Sequence, residues 1–367
     1  MDFELTDEQV ELQRVVHDLV ERDCPPSVVR SVVDGAFVDD TDHSVDLWKT
    51  LVQGEWPGLT VPVEHGGSGA TAVELVIVLD ELGRGADPSP FLATTTQYVP
   101  LVAECRIDAG PEMLAAVAAG GTGAGAFAAD TVRARAEADG WRLTGTARTV
   151  FDGDRADALA IVASVEDGVG VFVVPASSVT TTRLTSFDGS LHLADVQIDD
   201  VSVPASHAAT GLDTEVAVER AREWALVGLA ASTTGACQRI FDMTLDHVRN
   251  REQFGVAIGS FQAVKHMVVD MYVSIERARA LCQFAALTIA EDDPRREVAA
   301  SMAKAAAGDA QRLTARDGIQ LFGGLGYTWE NDLQIFVRRA KIGDQLFGSA
   351  AHHRGDVARA LLVGRSS

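Results

Sequence analysis

The hydrophobic periodicity of this chain changes twice, and that limits it to helices, then strands, then helices again. Residues 1–118 repeat at helical spacing. Thr6 and Gln9 form a capping box, and Leu12, Val15, Val16, Leu19 and Val20 follow at i, i+3, i+4, i+7 and i+8, one apolar helix face. Val73 to Gly83 predicts a second helix, entered from a turn at Gly66 to Gly69. Pro88, Pro90 and Pro100 punctuate the segment after it. Residues 119–213 change to short β-rich runs, Trp141 to Thr146, Ala158 to Ala163, Gly170 to Pro175 and Leu191 to Ile198, separated by Gly, Asp and Pro at turn spacing. They predict a small β-domain of roughly six to eight strands. Residues 214–367 return to long Ala-rich helices over 214–249, 260–291, 295–321 and 331–364, which predict a C-terminal antiparallel four-helix bundle.

Composition narrows the function. The 367 residues suffice for two or three packed domains, and a 47% apolar share is ordinary for a globular protein. A net charge of −22 argues against a nucleic acid or an anionic membrane as partner, because both need a basic face. No apolar run reaches the roughly 20 residues of a membrane helix. The acidic start, Met1 to Glu8, does not resemble a leader peptide, so the expected location is the cytoplasm. Cys24, Cys105, Cys237 and Cys282 form no CxxC pair and read as reduced, buried thiols. No metal site is expected. His352 and His353 stand about 100° apart on a helix and cannot share one ion. Asp199-Asp200 and Asp292-Asp293 read as turn carboxylates.

Two stretches carry chemistry. Arg251, Gln253, Phe254 and Gly255 follow a long helix, with Phe261 and Gln262 close behind. An arginine fork suits a diphosphate, an aromatic ring covers it, and amides serve a heterocycle edge. Gln320 precedes a turn containing Gly323, Gly324 and Gly326, where backbone can approach a phosphate closely. Together with Tyr327 to Glu330, Arg338 and Ala340 to Ile342, these stretches resemble signatures of the acyl-CoA dehydrogenases, flavoenzymes that oxidise acyl-CoA thioesters. The loop Gly58 to Gly69, Glu81 to Arg84 and Pro88 to Phe91 also match that family, as fold evidence only. The resemblance implies an α+β acyl-CoA dehydrogenase-like fold with FAD as cofactor. Arg251, Gln253, Phe254, Phe261, Gln262, Gln320, Gly323 and Gly324 would contact the dinucleotide held by a neighbouring subunit.

The departures are as informative as the matches. The family's catalytic glutamate stands just before a Gly-Thr or Gly-Ser pair. Here that pair is Gly348-Ser349, and Phe347 precedes it. Some members carry the base on an earlier helix, where the matching residue is Ala225. Glu223 lies about 200° around the helix from that position, and it and Glu219 read as solvated carboxylates. The family's flavin-ring loop is missing between Gly125 and Arg135, and Thr149 and Phe151 replace its ring-contacting tryptophan and threonine.

The resemblance therefore implies a degenerate, non-catalytic subunit of an actinobacterial-type heteromeric, α2β2 acyl-CoA dehydrogenase. Such a complex desaturates an acyl-CoA at the α,β bond, for example a steroid side-chain ester. Its partners would be a second dehydrogenase-like subunit, the acyl-CoA substrate, and an electron-transfer flavoprotein or similar acceptor. A divergent homotetramer with a relocated base is one alternative. A non-enzymatic structural or acyl-CoA-binding protein that has lost flavin is another.

Overall fold

A computed structural model describes residues 3–35 and 45–363. The chain begins with α1 (Asp7–Asp23), α2 (Pro26–Gly35), α3 (Val45–Gln53) and α4 (Ala72–Arg84). Next α5 (Phe91–Ala93) runs through a π-turn (Thr94–Tyr98) into α6 (Val99–Glu104), and α7 (Gly110–Ala118) follows. The strands are β1 (Gly123–Phe127), β2 (Val132–Glu137), β3 (Gly140–Phe151), β4 (Ala158–Val165), β5 (Gly168–Pro175), β6 (Thr180–Arg183), β7 (Leu193–Pro204) and β8 (Ala208–Thr210). Helix α8 (Thr214–Asn250), the hairpin β9 (Glu252–Gln253) and β10 (Val256–Ala257), α9 (Gln262–Ala290), α10 (Arg296–Phe322), α11 (Leu333–Gln345) and α12 (Ala350–Val363) complete it. Packing sorts the described segments into two compact units, one of residues 3–35, 72–87 and 226–363, the other of residues 45–71 and 88–225.

The first unit is helical. The capping box forms as the sequence predicts. Thr6 Oγ1 accepts from the Gln9 amide at 3.2 Å, and Gln9 Oε1 accepts from the Thr6 amide at 3.1 Å. Of the predicted apolar face Val16, Leu19 and Val20 are buried and Leu12 is half-buried, but Val15, at its margin, is exposed. Helices α4 and α8 approach at glycines. A Cβ on Gly235 would sit 1.8 Å from the Asp80 carbonyl oxygen, and one on Gly83 would sit 2.1 Å from that of Ser232. Across α10, buried Ala299, Ala300, Ala303, Ala306, Ala307 and Ala310 let α9, α11 and α12 pack closely. Arg279 on α9 donates to Asp80 on α4 at 2.7 Å.

The single helix expected over 331–364 is two. The chain breaks at Leu346–Ser349, where Phe347 and Gly348 take positive φ of 55° and 99°. Alanine periodicity could not reveal this break, because buried side chains from α10 and α12 stabilise it.

The second unit holds an eight-stranded mixed sheet in the order β6-β7-β3-β2-β4-β5-β8, with β1 parallel to β4. Strand β4 is buried on both faces. Leu159, Ile161 and Ala163 join one core with Leu143, Phe172, Val196 and Ile198. Ala160 and Val162 join another with Leu101, Val102, Leu114 and Val117 of α6 and α7 and with Val218 of α8. The eight strands agree with the predicted β-domain. Asp199 and Asp200 are not in a turn, however. They lie within β7 at a register shift against β3, and Asp200 has φ 55°. Asp292 and Asp293 do occupy a turn, where Arg296 and Arg295 pair with them. All four cysteines are free and buried. Among the described residues no helix is long and apolar enough to cross a membrane, and no His/Cys/Asp/Glu group could hold a metal.

Candidate cofactor-binding site

The last turn of α8 leads directly into the candidate site. The amide of Arg251 donates to His247 O at 2.8 Å, and the Arg251 carbonyl accepts from the Ile258 amide at 2.8 Å, closing the β9–β10 hairpin. Phe254 and Gly255 form its two-residue turn with φ of 55° and 78°, the positive pair such hairpins require. Asn or Asp normally precedes the glycine there. A phenylalanine in that conformation is strained, and this one is 92% exposed. Its ring meets that of Phe261 edge-on at 6.3 Å. Phe261 is the N-cap of α9, and Gln262, its first residue, is exposed. The Arg251 side chain is exposed and pairs with no described carboxylate. Burial first, and the Arg251 charge second, lower the pKa of His247 below the usual imidazole value.

The second stretch reaches the same end of this unit. Phe322, at the end of α10, stacks on the His247 ring at 4.3 Å and 14°. This contact brings the turn after Gln320 beside the hairpin of Arg251. Gln320 is exposed, and its side chain bonds no described residue. Gly323 has φ 62°, and a Cβ on Gly323 or Gly324 would meet nothing within 4 Å. Leu325 and Tyr327 add exposed apolar surface, 50% and 78% accessible. Among the side chains of the predicted residues only that of Gln253 donates locally, to the Glu252 carbonyl at 2.9 Å. A free guanidinium, free amides, unburied aromatic rings and a turn open to close approach fit an anionic dinucleotide.

The position that the family resemblance assigns to the base is held by a dense set of hydrogen bonds. Phe347 sits in the break between α11 and α12. Its carbonyl accepts from His353 Nε2 at 2.9 Å. Lys304 of α10, 1% exposed, donates to the carbonyls of Asp344 at 3.0 Å and Gly348 at 2.7 Å. The Asp344 carboxylate accepts from the Ala350 amide at 3.0 Å and caps α12. Burial lowers the Lys304 pKa to about 8, against the opposing charge of Asp344. Burial likewise lowers that of His353. Sequence reasoning missed Lys304, because a lysine in an Ala-rich helix reads as solvated. The one available signal was its place among alanines that are all buried.

The second unit holds the residues that the resemblance places near a flavin ring. Only residues 128–131 join β1 to β2, and the Thr131 and Val132 amides both donate to Ala128 O. Thr149 is exposed at a bulge with φ 57°, its amide donating to Asp195. Phe151 is buried, and next to it Asp152 pairs with Arg155 at 2.6 Å. Ala225 is buried and Glu219 exposed. Glu223 is a correction. It is 6% exposed, not solvated, because the first turns of α8 are packed into this unit.

These features define a class. The profile described as "Acyl-CoA dehydrogenase, N-terminal domain" matches residues 6–121, and "Acyl-CoA dehydrogenase, C-terminal domain" matches residues 214–362. The chain belongs to the acyl-CoA dehydrogenase family. It is 32% identical over 352 residues to acyl-CoA dehydrogenase IpdE2 of Mycobacterium tuberculosis, covering 94% of each chain. Among solved structures it resembles a chain of the ChsE4-ChsE5 complex from Mycobacterium tuberculosis, with TM-score 0.89, 26% identity and 99% coverage of both chains. It is also similar to the steroid ACAD Tcur3481-Tcur3483, with TM-score 0.88, 26% identity and coverage of 98% and 99%.

Proposed function

We propose that this chain is the non-catalytic subunit of a heteromeric FAD-dependent acyl-CoA dehydrogenase. The observation that carries the reading is Phe347. The family's base position is preserved as a left-handed, hydrogen-bonded turn, yet the side chain it presents cannot accept a proton. The short β1–β2 link and the inward-packed Phe151 support it, because a flavin ring has lost its partners there. The free dinucleotide-binding groups argue against complete loss of flavin, since a protein that had abandoned the cofactor would have no use for exposed Phe254 or unpaired Arg251.

In this reading Arg251 neutralises the pyrophosphate, and Phe254 and Phe261 shield it from water. Gln262 and Gln320 donate or accept at its polar edges, and Gly323 and Gly324 allow backbone contact. FAD, when bound, supplies the hydride acceptor for α,β-desaturation. The partner subunit supplies the base in this reading, and the two-component ChsE4-ChsE5 and Tcur3481-Tcur3483 neighbours support a heteromeric assembly. A steroid-derived acyl-CoA and an electron-transfer flavoprotein or similar acceptor belong to the same proposal, as do a cytoplasmic location and the division at residues 118 and 213.

The test is flavin retention by the co-purified complex. A charge-assisted contact of about 1.5–3 kcal/mol corresponds to roughly one to two orders of magnitude in affinity. Arg251→Ala should therefore weaken FAD binding by about that factor, and Arg251→Lys should recover part of it. Arg14, whose side chain is 61% exposed on α1, is the control. Unchanged flavin affinity in Arg251→Ala would remove the argument for binding across the interface. One observation favours the homotetramer instead, the buried carboxylate of Glu223. That reading requires turnover by this chain alone, abolished in Glu223→Gln.

A further inference from the structure

The β-sheet carries a feature that flavin binding does not use. Strand β2 meets β4 at a single residue pair, Arg133 with Ser164. Beyond it, Ala134 to Glu137 pair with β3 on one side only. A cleft of about 900 Å³ opens along this free edge. Consecutive residues of β2, from both pleats, line it. One face presents Arg133 and Arg135, opposite Thr144 and Arg142 in the β2–β3 register. The other carries Ala134, buried in the core of the sheet, and exposed Ala136, with Trp141 opposite Ala136.

The charges of the cleft are unevenly satisfied. Arg142 is held by Glu137, with Nε and Nη2 each at 3.1 Å from its carboxylate, and by the Asp200 carbonyl at 2.9 Å. Its side chain also lies 3.6 Å from the Asp200 carboxylate. Arg135 reaches Glu137 only at 3.5 Å and is 80% exposed. The Arg133 side chain is exposed and bonds no described residue. The Trp141 ring is fixed edge-on against Phe172 at 5.4 Å, and its indole N–H bonds no described residue. Glu166 and Asp167, in the β4–β5 turn, close the far end.

The geometry points to a docking site for an extended acidic peptide segment that adds to β2 as a strand. Strand addition uses the unpaired backbone of Ala134 to Glu137. The two-residue pleat then dictates the ligand. The residue beside Arg135 is Asp or Glu, within reach of the Arg133 and Arg135 guanidinium groups, and those beside Ala134 and Ala136 are small and apolar. Glu137, Glu166 and Asp167 repel a second carboxylate, so the ligand carries its negative charge at that one position of the strand. This inference is independent of the flavin reading.

The experiment uses the full chain and a fluorescein-labelled, acetylated pentapeptide of alanines with one central glutamate, followed by anisotropy at low salt. Saturable binding is expected. Exposed ion pairs contribute about 0.2–1 kcal/mol each, so the double variant Arg133→Ala/Arg135→Ala should weaken it roughly three- to tenfold. Both side chains are exposed, and circular dichroism checks that the variant folds. The same peptide methylated on alternate backbone nitrogens should bind at least tenfold more weakly. No saturable binding, or binding indifferent to the arginines, would overturn the proposal. Equal binding of the methylated peptide would also overturn it, reducing the cleft to a simple anion contact.

Discussion

Replacing Lys304 by methionine isolates the turn that holds Phe347. The two side chains have similar length, so packing is nearly conserved. What is lost is two donated hydrogen bonds, to the carbonyls of Asp344 and Gly348. Each unsatisfied buried acceptor costs about 1–3 kcal/mol, while removal of a buried charge returns part of that. A net loss of roughly 2–4 kcal/mol follows, near 10 °C at about 2–4 °C per kcal/mol for a domain of 150–250 residues. The loss should also depend on pH. Burial lowers the Lys304 pKa from 10.5 to about 8. Its ammonium is therefore less welcome folded than unfolded. Wild-type stability from this group is least below pH 8 and grows as pH rises toward 10.5. The Cys105, Cys237 and Cys282 thiols and Tyr98, pushed up to about 12 by burial, act oppositely above pH 9, but equally in both proteins. The gap between wild type and Lys304→Met should thus widen by about 1 kcal/mol from pH 8 to pH 9. Urea denaturation followed by circular dichroism across that range measures it. A gap that stays constant or narrows would refute a charged, buried Lys304.

Two further substitutions probe the frame around the site. Gly235→Ala should destabilise the helical unit by more than about 2 kcal/mol, because its Cβ would sit 1.8 Å from the Asp80 carbonyl oxygen; a melting temperature within a degree of wild type would mean that α4 and α8 separate freely. Phe347→Glu restores a carboxylate at the base position but not the flavin-ring contacts, so it should give no acyl-CoA-dependent dye reduction by the chain alone; turnover there would show that the changes at Thr149 and Phe151 are harmless.

Much of this was legible in the residues, and what was not has a common cause. The Thr6–Gln9 box, most of the apolar face of α1 and the β-rich runs are local signals, and they formed where periodicity placed them, with Val15 left exposed at the edge of that face. The exposed Phe254 and the glycine turn after Gln320 were legible because their neighbours in sequence are their neighbours in space. The break at Phe347, the burial of Glu223 and the role of Lys304 are set by residues tens to hundreds of positions away. Within α10 an alanine run reads the same whether its lysine faces water or two carbonyls. Only packing against α11 and α12 decides it.

The most direct measurement is the visible spectrum and acyl-CoA-dependent dye reduction of this chain purified alone, beside the same chain co-purified with a dehydrogenase-like partner. The account predicts a nearly colourless, inactive protein alone, and flavin with turnover only in the complex. Stoichiometric flavin and turnover from the lone chain would contradict it.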